Sequence, residues 1–518
     1  MTYKHKFFHA FLIFMIMAVI MAVIQPLNIL GVEKYLLGSF PVNTSEGSTL
    51  QGKFDSVRAK IIDLMEETGT CSISVAVAKD GKIIWEESFG WANREKRIKA
   101  NPNTMYSLAS ISKPITATGL MILVERELLD LNKSINSYLG RSKILAFEGK
   151  ASDATVKHVL NHTSGLPLHW QFFYEDQPYQ RPCMETTIRR YGILVAAPGE
   201  IYQYSNLGFG ILDYVISRIS GKSYQDFMKT EVFLPLGMTR TSVGIGPGLE
   251  DYAAQRYSAN QKPIPFYDFD HRGASAVFSS AHDLVRFGMF HLRDHLPDQK
   301  QILEDETIDV MKVEKDPNAA NKEYRFGWAE KMNDHGYRSI SHTGGMPGVS
   351  TEIKLIPSED IALVVLCNSQ CKPVYEIDNE ILAALLPRFA RNLEAEKRKV
   401  EKKVDKKISL PKTLLGKWDG QIKTYIGVMP IQMIFKNDDD IHVKIENQLE
   451  TLLNSVNFKD SILTGVFNGE IETEGTSRFP HTIHLKMKLR GKRLYGYANA
   501  TAIPFYSLSS WIELRKKS

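Results

Sequence analysis

The feature of this sequence that most constrains its fold is the order in which strand-like and helix-like patterns follow one another. Two β-rich runs flank Asp80-Gly81, a turn signal that predicts a hairpin. From about residue 102 to 300 apolar residues recur with helical period between Gly and Pro loops, and strand-like runs return at ISHTGGMPGVSTEIKLIPSEDIALVVLCN. Strands at both ends with helices between them predict one α+β domain whose sheet unites distant segments.

The last hundred residues have a different pattern. From Leu414 onward, short runs of alternating apolar residues are separated by Asp, Asn and Gly turns at about ten-residue spacing. This predicts an antiparallel meander that closes into a small β-barrel. A dense charge run, EAEKRKVEKKVDKK, precedes it and predicts a solvated helix end or linker, with a polybasic membrane contact as the alternative. The predicted boundaries are 50–392 for the α+β domain, 393–410 for the charged linker and 411–518 for the barrel.

The N-terminus carries an apolar stretch from Phe7 to Ile24 that only His9 interrupts. It is long enough to span the hydrocarbon core of a membrane, and the KHK before it orients its N-terminus towards the cytoplasm. No clean A-x-A cleavage site follows. We therefore expect residues 1–31 to be an uncleaved anchor at the cell membrane, with the rest of the chain extracytoplasmic. The alternative is a signal segment whose cleavage releases a secreted protein.

Composition excludes several classes of protein. Hydrophobic residues make up 43% of the chain and charged residues 24%, which is typical of soluble globular domains rather than disordered or polytopic membrane proteins. Lys plus Arg number 64 against 59 Asp plus Glu, and the net charge of +5 argues against a nucleic-acid partner. Four cysteines without a CxxC pair are too few for a disulfide scaffold and do not indicate zinc: Cys71, Cys183, Cys367 and Cys371.

An S-x-x-K motif, Ser110-Ile111-Ser112-Lys113, opens one of the helical runs. On a helix its first and last side chains lie one turn apart on the same face. A desolvated, neutral lysine amine placed there can accept the proton of a serine hydroxyl, which is otherwise a weak nucleophile. The motif alone is not specific, because it recurs at residues 369–372 and 409–412, the latter with a proline that suits a helix interior poorly.

A Y-x-N triplet at residues 204–206 lies on a predicted loop before a helix. Tyr204 there could relay a proton, and the amide of Asn206 could hold a substrate carbonyl. This pattern is also weak by itself, since a second Y-x-N occurs at residues 497–499 in the barrel-like tail.

A third motif, His342-Thr343-Gly344-Gly345, occurs once and begins a strand-like run. Two glycines at the start of a strand let another backbone or a ligand approach the edge closely, which suits docking of an extended substrate.

Two histidine pairs have the i,i+4 spacing of some metal sites: His158 with His162, and His291 with His295. Neither pair has the intervening Glu of a zincin or a third ligand nearby. We therefore expect surface or loop histidines and no metal site.

The order of the three motifs resembles that of the serine β-lactamase and penicillin-binding-protein superfamily, and Y-x-N points to its class C β-lactamase and D,D-peptidase branch. The resemblance covers about residues 55 to 390 and implies a β-lactamase-like transpeptidase fold, in which an antiparallel sheet packs with a helical region. Flanking text is also similar to that branch: NHTSGLP, PGE, LPLGMTRT, SSAHDLVRF, FGW and HTGGMPGVS.

This resemblance implies a role for each motif residue. Ser110 would be the acylated nucleophile, and Lys113 its activating base. Tyr204 would relay protons and assist deacylation, and Asn206 would contact the substrate amide. The backbone N–H groups of Ser110 and Gly345 would form an oxyanion hole, with donors placed where negative charge develops.

The strand motif would supply substrate-binding residues at His342, Thr343, Gly344 and Gly345. His342 departs from the lysine of the β-lactamases proper. A neutral imidazole would hold a substrate carboxylate less strongly than an ammonium does, which argues against efficient β-lactam hydrolysis. The stretch HRGASAVFSS also departs from the Gly-Gly-rich segment common at that place in the family.

The tail resembles the lipocalin-like barrels appended to some of these hydrolases, mainly through Gly416-Lys417-Trp418. Its barrel would be filled by its own side chains and pack against the catalytic domain, or would form a ligand-binding cup.

Together these features predict a membrane-anchored serine hydrolase that forms a Ser110 acyl-enzyme on amide or ester bonds, with D-amino-acid peptides as one candidate substrate class. The alternatives are an esterase or transacylase of the same fold, and an exported penicillin-binding-like sensor with little turnover. The expected partner is a small-molecule or peptide substrate. No metal or organic cofactor is implied, and the oligomeric state is left open.

Overall fold

The computed structural model describes residues 52–312, 320–370, 374–399 and 410–517. The predicted N-terminal anchor, Cys371 and most of the charged linker lie outside these residues. Within the described ranges, no helix combines the length and the apolar character needed to cross a membrane. The anchor and the domain boundaries stay predictions.

The strands follow the predicted order, with one group at each end of the first 390 residues and a third group after residue 410. In chain order they are β1 Ser72–Lys79, β2 Lys82–Asn93, β3 Ile98–Lys99, β4 Tyr106–Ser107, β5 Leu145–Ala146, β6 Trp170–Tyr174, β7 Ile193–Leu194, β8 Thr241–Val243, β9 Tyr267–Phe269, β10 Val277–Ser279, β11 Tyr324–Arg325, β12 Trp328–Asp334, β13 Tyr337–Met346, β14 Val349–Ile356, β15 Ile361–Cys367, β16 Gly416–Lys423, β17 Val428–Phe435, β18 Ile441–Ile445, β19 Thr451–Leu452, β20 Asn454–Lys459, β21 Ile462–Asn468, β22 Thr482–Arg490, β23 Arg493–Ala502 and β24 Tyr506–Lys516.

The helices lie mainly between β2 and β11. They are α1 Asp55–Thr68, α2 Ser112–Glu125, α3 Val156–Leu160, α4 Met184–Tyr191, α5 Asn206–Ser220, α6 Tyr224–Met228, α7 Arg272–Ser275, α8 Ala281–Leu292, α9 Asp305–Lys312, α10 Val374–Leu385 and α11 Pro387–Lys399. Shorter helical turns are Gly52–Phe54, Ala109–Ile111, Ile135–Ser137, Ala151–Asp153, Lys229–Phe233, Glu250–Tyr252, Pro357–Glu359 and Thr476–Arg478.

The main sheet joins segments from both ends of the first 390 residues. Its strand order is β11-β12-β13-β14-β15-β1-β2-β3. β1 pairs with β2 across the predicted Asp80–Gly81 turn, and on its other side it pairs with β15, where Ile73 lies opposite Cys367. The predicted hairpin and the predicted α+β fold are therefore confirmed.

Both faces of this sheet are buried. On β1, Val75 and Val77 pack with α1, α10 and α11, whereas Ala76 and Ala78 face the core that contains α2 and α8. Successive side chains of a strand point to opposite faces, so a strand covered on both sides is mainly apolar on both. This explains the unbroken apolar run of residues 75–78, and the two serines before it are buried with hydrogen bonds to the hydroxyl of Tyr106.

A buried ion cluster ties the sheet to α10. Lys354 on β14 forms ion pairs with Asp378 on α10, with Asp334 (3.5 Å) and with Glu352 (3.5 Å), and all four residues are buried. Burial opposes the charge of Lys354, but the three carboxylates outweigh it and raise the pKa of its ammonium. Burial, together with the charge of Asp378, raises the pKa of Glu352 to about 8.

Replacing Lys354 with methionine should lower the free energy of unfolding by about 3 kcal/mol at pH 7, because it leaves buried carboxylates without their cation. The loss should shrink as the pH falls, since protonation neutralises these carboxylates in the folded variant. Urea unfolding at pH 7 and pH 5 measures both effects. The control is Lys331→Met, whose side chain is 60% exposed and pairs with Asp334 at 2.6 Å. Because the Lys331 ammonium is exposed to solvent, its pair should contribute under about 1 kcal/mol, and equal losses in the two variants would contradict the assignment.

The C-terminal strands form a nearly closed antiparallel barrel, as predicted. Their order is β19-β18-β17-β16-β24-β23-β22-β21-β20. Only Leu453 separates β19 from β20, so one bent strand borders both edges of the sheet. Trp418, Met433 and Phe435 are buried, and the indole N–H of Trp418 donates to the carbonyl of Leu414 at 2.7 Å. These buried side chains favour a barrel filled by its own residues.

The barrel is joined to the α+β domain through main-chain contacts. β24 pairs with β6 of the α+β domain, with Tyr506 opposite Gln171. The carbonyl of Leu168 accepts hydrogen bonds from Asn499 Nδ2 (3.2 Å) and Ser509 Oγ (2.5 Å). The barrel is thus seated on the loop that follows the NHTSGLP segment.

Candidate active site

Ser110 lies in a short helical turn at the entrance of α2. Ala109, immediately before it, has a φ of 48°, which is rare for a residue with a side chain and indicates local backbone strain. The turn continues into α2, so Lys113 follows one turn later on the same face. Lys113 Nζ lies 2.9 Å from Ser110 Oγ, as the i,i+3 spacing predicts.

Lys113 is completely buried. Its amine donates to the carbonyl of Ala274 at 3.2 Å and lies 4.6 Å from the centre of the Tyr204 ring. In the part of the chain that the structure describes, no carboxylate forms an ion pair with it. Burial therefore lowers the pKa of Lys113 well below its ordinary value of 10.5. A neutral amine next to a serine hydroxyl can take up that hydroxyl's proton.

Tyr204 approaches the same oxygen from the other side. Its hydroxyl donates to Ser110 Oγ at 3.0 Å, and burial raises the pKa of this phenol. The segment ends at Ser205, the N-cap of α5, whose hydroxyl accepts from the N–H of Gly208 at 3.2 Å. Asn206 is the first residue of α5 and is buried. The Y-x-N triplet therefore joins the S-x-x-K motif, and the second triplet at 497–499 lies in the barrel.

His162 is a residue of the site that the sequence analysis missed. It lies in the turn after α3, in agreement with the expected loop position, but its ring is in the interior, 4.3 Å from the Tyr204 ring. Its Nδ1 accepts from the N–H of Ser205 at 3.1 Å, so the ring proton belongs on Nε2. Burial lowers its pKa well below 6.5 and keeps it neutral. The sequence signal that could have identified His162 as a residue of the site is the NHTSGLP segment, which is part of the family resemblance.

The other paired histidines also have structural surroundings. His158 lies in a capping box with Thr155 at the start of α3. His291, for which a surface or loop position was also expected, is buried, with Nε2 3.1 Å from Thr118 Oγ1. Helix packing, which i,i+4 spacing does not reveal, places it inside.

His342 lies on β13 with both ring nitrogens engaged inside the protein. Nδ1 lies 2.7 Å from the carbonyl of Thr343, and Nε2 lies 3.3 Å from the hydroxyl of Tyr324. Burial, with a further contribution from Lys113, lowers the pKa of His342 to about 3. The ring is therefore neutral at physiological pH and forms part of the wall of the site. Tyr324, from the strand before FGW, is a further residue that the motifs did not reveal.

The glycines of β13 let this strand pass close to the turn that carries Ser110. A side chain at Gly344 would place its Cβ 2.1 Å from the carbonyl oxygen of Leu108. Thr351 on the neighbouring strand donates to the same carbonyl at 2.9 Å. Thr343 is half-buried and Gly345 is exposed, so the strand edge beside Ser110 is open at these two positions.

The chain is similar in sequence and in fold to known proteins. A family model described as Beta-lactamase matches residues 57–387. Penicillin-binding protein 4* of Bacillus subtilis is 28% identical over 324 residues, covering 58% of this chain and 69% of that protein.

Two solved structures extend the similarity of fold over most of the chain. The octameric penicillin-binding protein homologue from Pyrococcus abyssi has a TM-score of 0.56 at 21% identity, covering 88% of this chain and 99% of its own. A crystal structure of SurE with D-Leu has a TM-score of 0.56 at 18% identity, covering 90% of this chain and all of its own.

Proposed function

We propose that this chain, which belongs to the β-lactamase family of serine hydrolases, hydrolyses amide or ester bonds through an acyl-enzyme on Ser110. The observation that carries the proposal is the placement of Ser110 Oγ between a buried amine and a phenol, 2.9 Å from Lys113 Nζ and 3.0 Å from Tyr204 OH. A serine held in this way has both an acceptor for its proton and a donor for a leaving group.

In the proposed acylation step, the Ser110 hydroxyl transfers its proton to Lys113 Nζ while Oγ forms a bond to the substrate carbonyl carbon. The carbonyl π electrons move to oxygen, where the N–H groups of Ser110 and Gly345 would stabilise the negative charge. When the intermediate collapses, the bond to the leaving amine or alkoxide breaks, and that group takes a proton from Tyr204. The Lys113 ammonium then returns its proton to Tyr204.

In the proposed deacylation step, water attacks the acyl carbon and passes a proton to Tyr204 while the phenol passes its own proton to the neutral amine of Lys113. The bond to Ser110 breaks, and Oγ takes this proton back from the Lys113 ammonium, which restores the resting site. Asn206 would contact the substrate amide, and the edge at Thr343, Gly344 and Gly345 would dock an extended substrate.

The charge state of the site bears on the substrate class. Burial lowers the pKa values of Lys113, His162 and His342 and so disfavours the charged form of each, and we expect none of the three to supply a cation for a substrate carboxylate. We therefore favour acyl esters and amides without a free carboxylate next to the scissile bond. D-amino-acid peptides stay among the candidates, with support from the structural neighbour crystallised with D-Leu. The lowered pKa values of these three groups also support the alternative that the enzyme is an esterase.

A matched set of substrates tests this proposal: N-acyl-D-alanyl-D-alanine, its C-terminal amide, and an activated acyl ester of the same acyl group. Intact mass spectrometry of the fragment from residue 41 should show an acyl adduct that clears with time. We expect kcat/KM for the amide to equal or exceed that for the free acid. Preference for the free acid by more than about tenfold would contradict the substrate argument. A stoichiometric adduct that never clears would identify a sensor, and no adduct with any of the three would contradict the acyl-enzyme.

For its location, we propose that residues 1–31 hold the enzyme at the cell membrane with the catalytic domain outside. Support comes from the apolar stretch and the basic residues before it. Release after cleavage is the other possibility for the same exported chain.

A further inference from the structure

The residue before Tyr204 is held from the side of the barrel. Gln203 is buried, with 5% of its surface exposed. Its backbone N–H donates to the carbonyl of His162 at 2.7 Å. Its side-chain Nε2 donates to the hydroxyl of Tyr497 at 3.1 Å, and its Oε1 accepts from Lys486 Nζ at 2.7 Å. Both polar atoms of this amide are therefore bound by the barrel, more than 280 residues away along the chain.

Lys486 and Tyr497 form a cross-strand pair in the barrel. They lie directly opposite each other on β22 and β23, so their side chains leave the barrel on the same face. Tyr497 is also the first residue of the second Y-x-N triplet, at residues 497–499.

The surroundings of Lys486 are unusual for a lysine. Burial lowers the pKa of its ammonium to about 8, and within the described ranges no carboxylate forms an ion pair with it. Its side chain is half-buried, and the Gln203 amide is the group that its ammonium binds.

We propose that the barrel is a working part of the active site, in which Lys486 and Tyr497 position Tyr204 through Gln203. This inference rests on the proposed function. Gln203 and Tyr204 are adjacent, and their side chains bind different partners, the barrel for Gln203 and Ser110 Oγ for Tyr204. Holding Gln203 from the barrel thus fixes the rotation of the segment about its own axis. That rotation sets the direction in which Tyr204 points towards Ser110 Oγ.

The contact that serves as a control lies on the same strand. Lys488, two residues after Lys486 on β22, forms an ion pair with Glu200 of the α+β domain. Replacing Lys488 therefore removes a contact between the same two domains without touching Gln203. Any general effect of loosening the barrel should be shared by Lys486→Met and Lys488→Met, whereas an effect on Tyr204 should be confined to the first.

The experiment compares Lys486→Met, Tyr497→Phe and Lys488→Met in the full chain. We expect Lys486→Met to lower kcat by about tenfold with KM within about twofold, because misplacing a catalytic group slows the chemical step more than it weakens binding. Tyr497→Phe should lower kcat less, since the Lys486 contact to Gln203 remains. Lys488→Met should change kcat by less than about twofold.

Hydrogen–deuterium exchange of the resting enzyme tests the same inference without turnover. The peptide 202–210 contains the N–H groups of Gln203 and Ser205, which are bonded to His162. It should exchange faster in Lys486→Met and not in Lys488→Met. If the wild type turns over and the two lysine variants match in kcat and exchange, the positioning inference is wrong while the function stands. If the wild type forms no adduct, the proposed function fails, and the exchange data still decide whether the barrel holds the segment.

Discussion

Replacing Ser110 with alanine should abolish hydrolysis, lowering kcat/KM by about 10⁵-fold for every substrate that the wild type accepts. The reason is that Oγ is the atom to which both Lys113 Nζ (2.9 Å) and Tyr204 OH (3.0 Å) are directed. Without it neither group has a nucleophile to activate, and a water in that space is not held for attack. Steady-state kinetics with the acyl ester, and intact mass after exposure to it, measure the loss and the absence of an adduct.

Ser112→Ala is the matched control, because it removes the neighbouring serine of the same motif. Ser112 Oγ is buried and accepts from the N–H of Val277 at 3.0 Å, so its loss should cost about 1 kcal/mol of stability. It should nevertheless keep the adduct and at least about a third of wild-type kcat when assayed well below its melting temperature. Loss of the adduct in folded Ser112→Ala, or its persistence in Ser110→Ala, would show that Ser110 is not the nucleophile.

One part of the site, the contact between Ser110 and Lys113, could be predicted from the spacing of the two residues without the family resemblance. Ser110 and Lys113 meet because three residues make nearly one helical turn, a relation that any helix imposes. The role of Lys113 requires a neutral amine, and what favours that form is complete burial without a carboxylate partner among the described residues, a property of the tertiary structure. The motif spacing predicts the contact between Ser110 and Lys113 but not the protonation state of Lys113.

Long-range contacts could be anticipated only through the resemblance to a family. Nothing in the spacing of about 90 residues between Ser110 and Tyr204 brings them together; the chain path through the helical region does. His162 was missed for the same reason, since a histidine after a short helix has no pattern that marks it as buried. The triplet at 497–499 served only to show that Y-x-N alone is unspecific, although Tyr497 contacts Gln203 across the domain interface.

The sheet was easier to predict than its junction with the barrel. IALVVLC is apolar throughout and SISVAVA is apolar apart from two serines, which indicates strands covered on both faces, and such strands belong in the middle of a sheet. β1 and β15 are indeed neighbours there. By contrast, the pairing of β24 with β6 rests on two residue pairs whose sequences, YS and WQ, carry no signal of partnership.

Replacing Lys113 with methionine should lower kcat/KM by about 10³-fold while leaving the fold at least as stable as in the wild type. Methionine fills much of the same buried space without an amine, so Ser110 loses its proton acceptor but keeps its hydrogen bond to Tyr204. Lys113→Arg should be equally inactive, since a guanidinium stays protonated at every accessible pH and cannot act as a base. Burst kinetics with the acyl ester should show that the acylation step is the one that slows.

The pH dependence of the wild type follows from the same buried amine. Acylation needs neutral Lys113, so kcat/KM should rise with pH through the folded-state pKa of Lys113, which burial places well below 10.5. The rising limb should be missing from the small residual activity of Lys113→Met. A limb that persists unchanged in this variant would show that another group is the base.

The effect of Lys113→Met on stability should have the opposite sign to its effect on activity, and this separates a catalytic role of Lys113 from a structural one. Because the folded-state pKa of Lys113 is depressed, the unfolded chain binds a proton that the folded chain does not, wherever the pH lies between the two pKa values. The buried amine therefore destabilises the fold at neutral pH, and this penalty fades as the pH approaches 10.5. Lys113→Met should melt at an equal or higher temperature than the wild type at pH 7, with the difference shrinking by pH 10. A variant that is both inactive and less stable at pH 7 would mean that Lys113 supports the structure instead of activating Ser110.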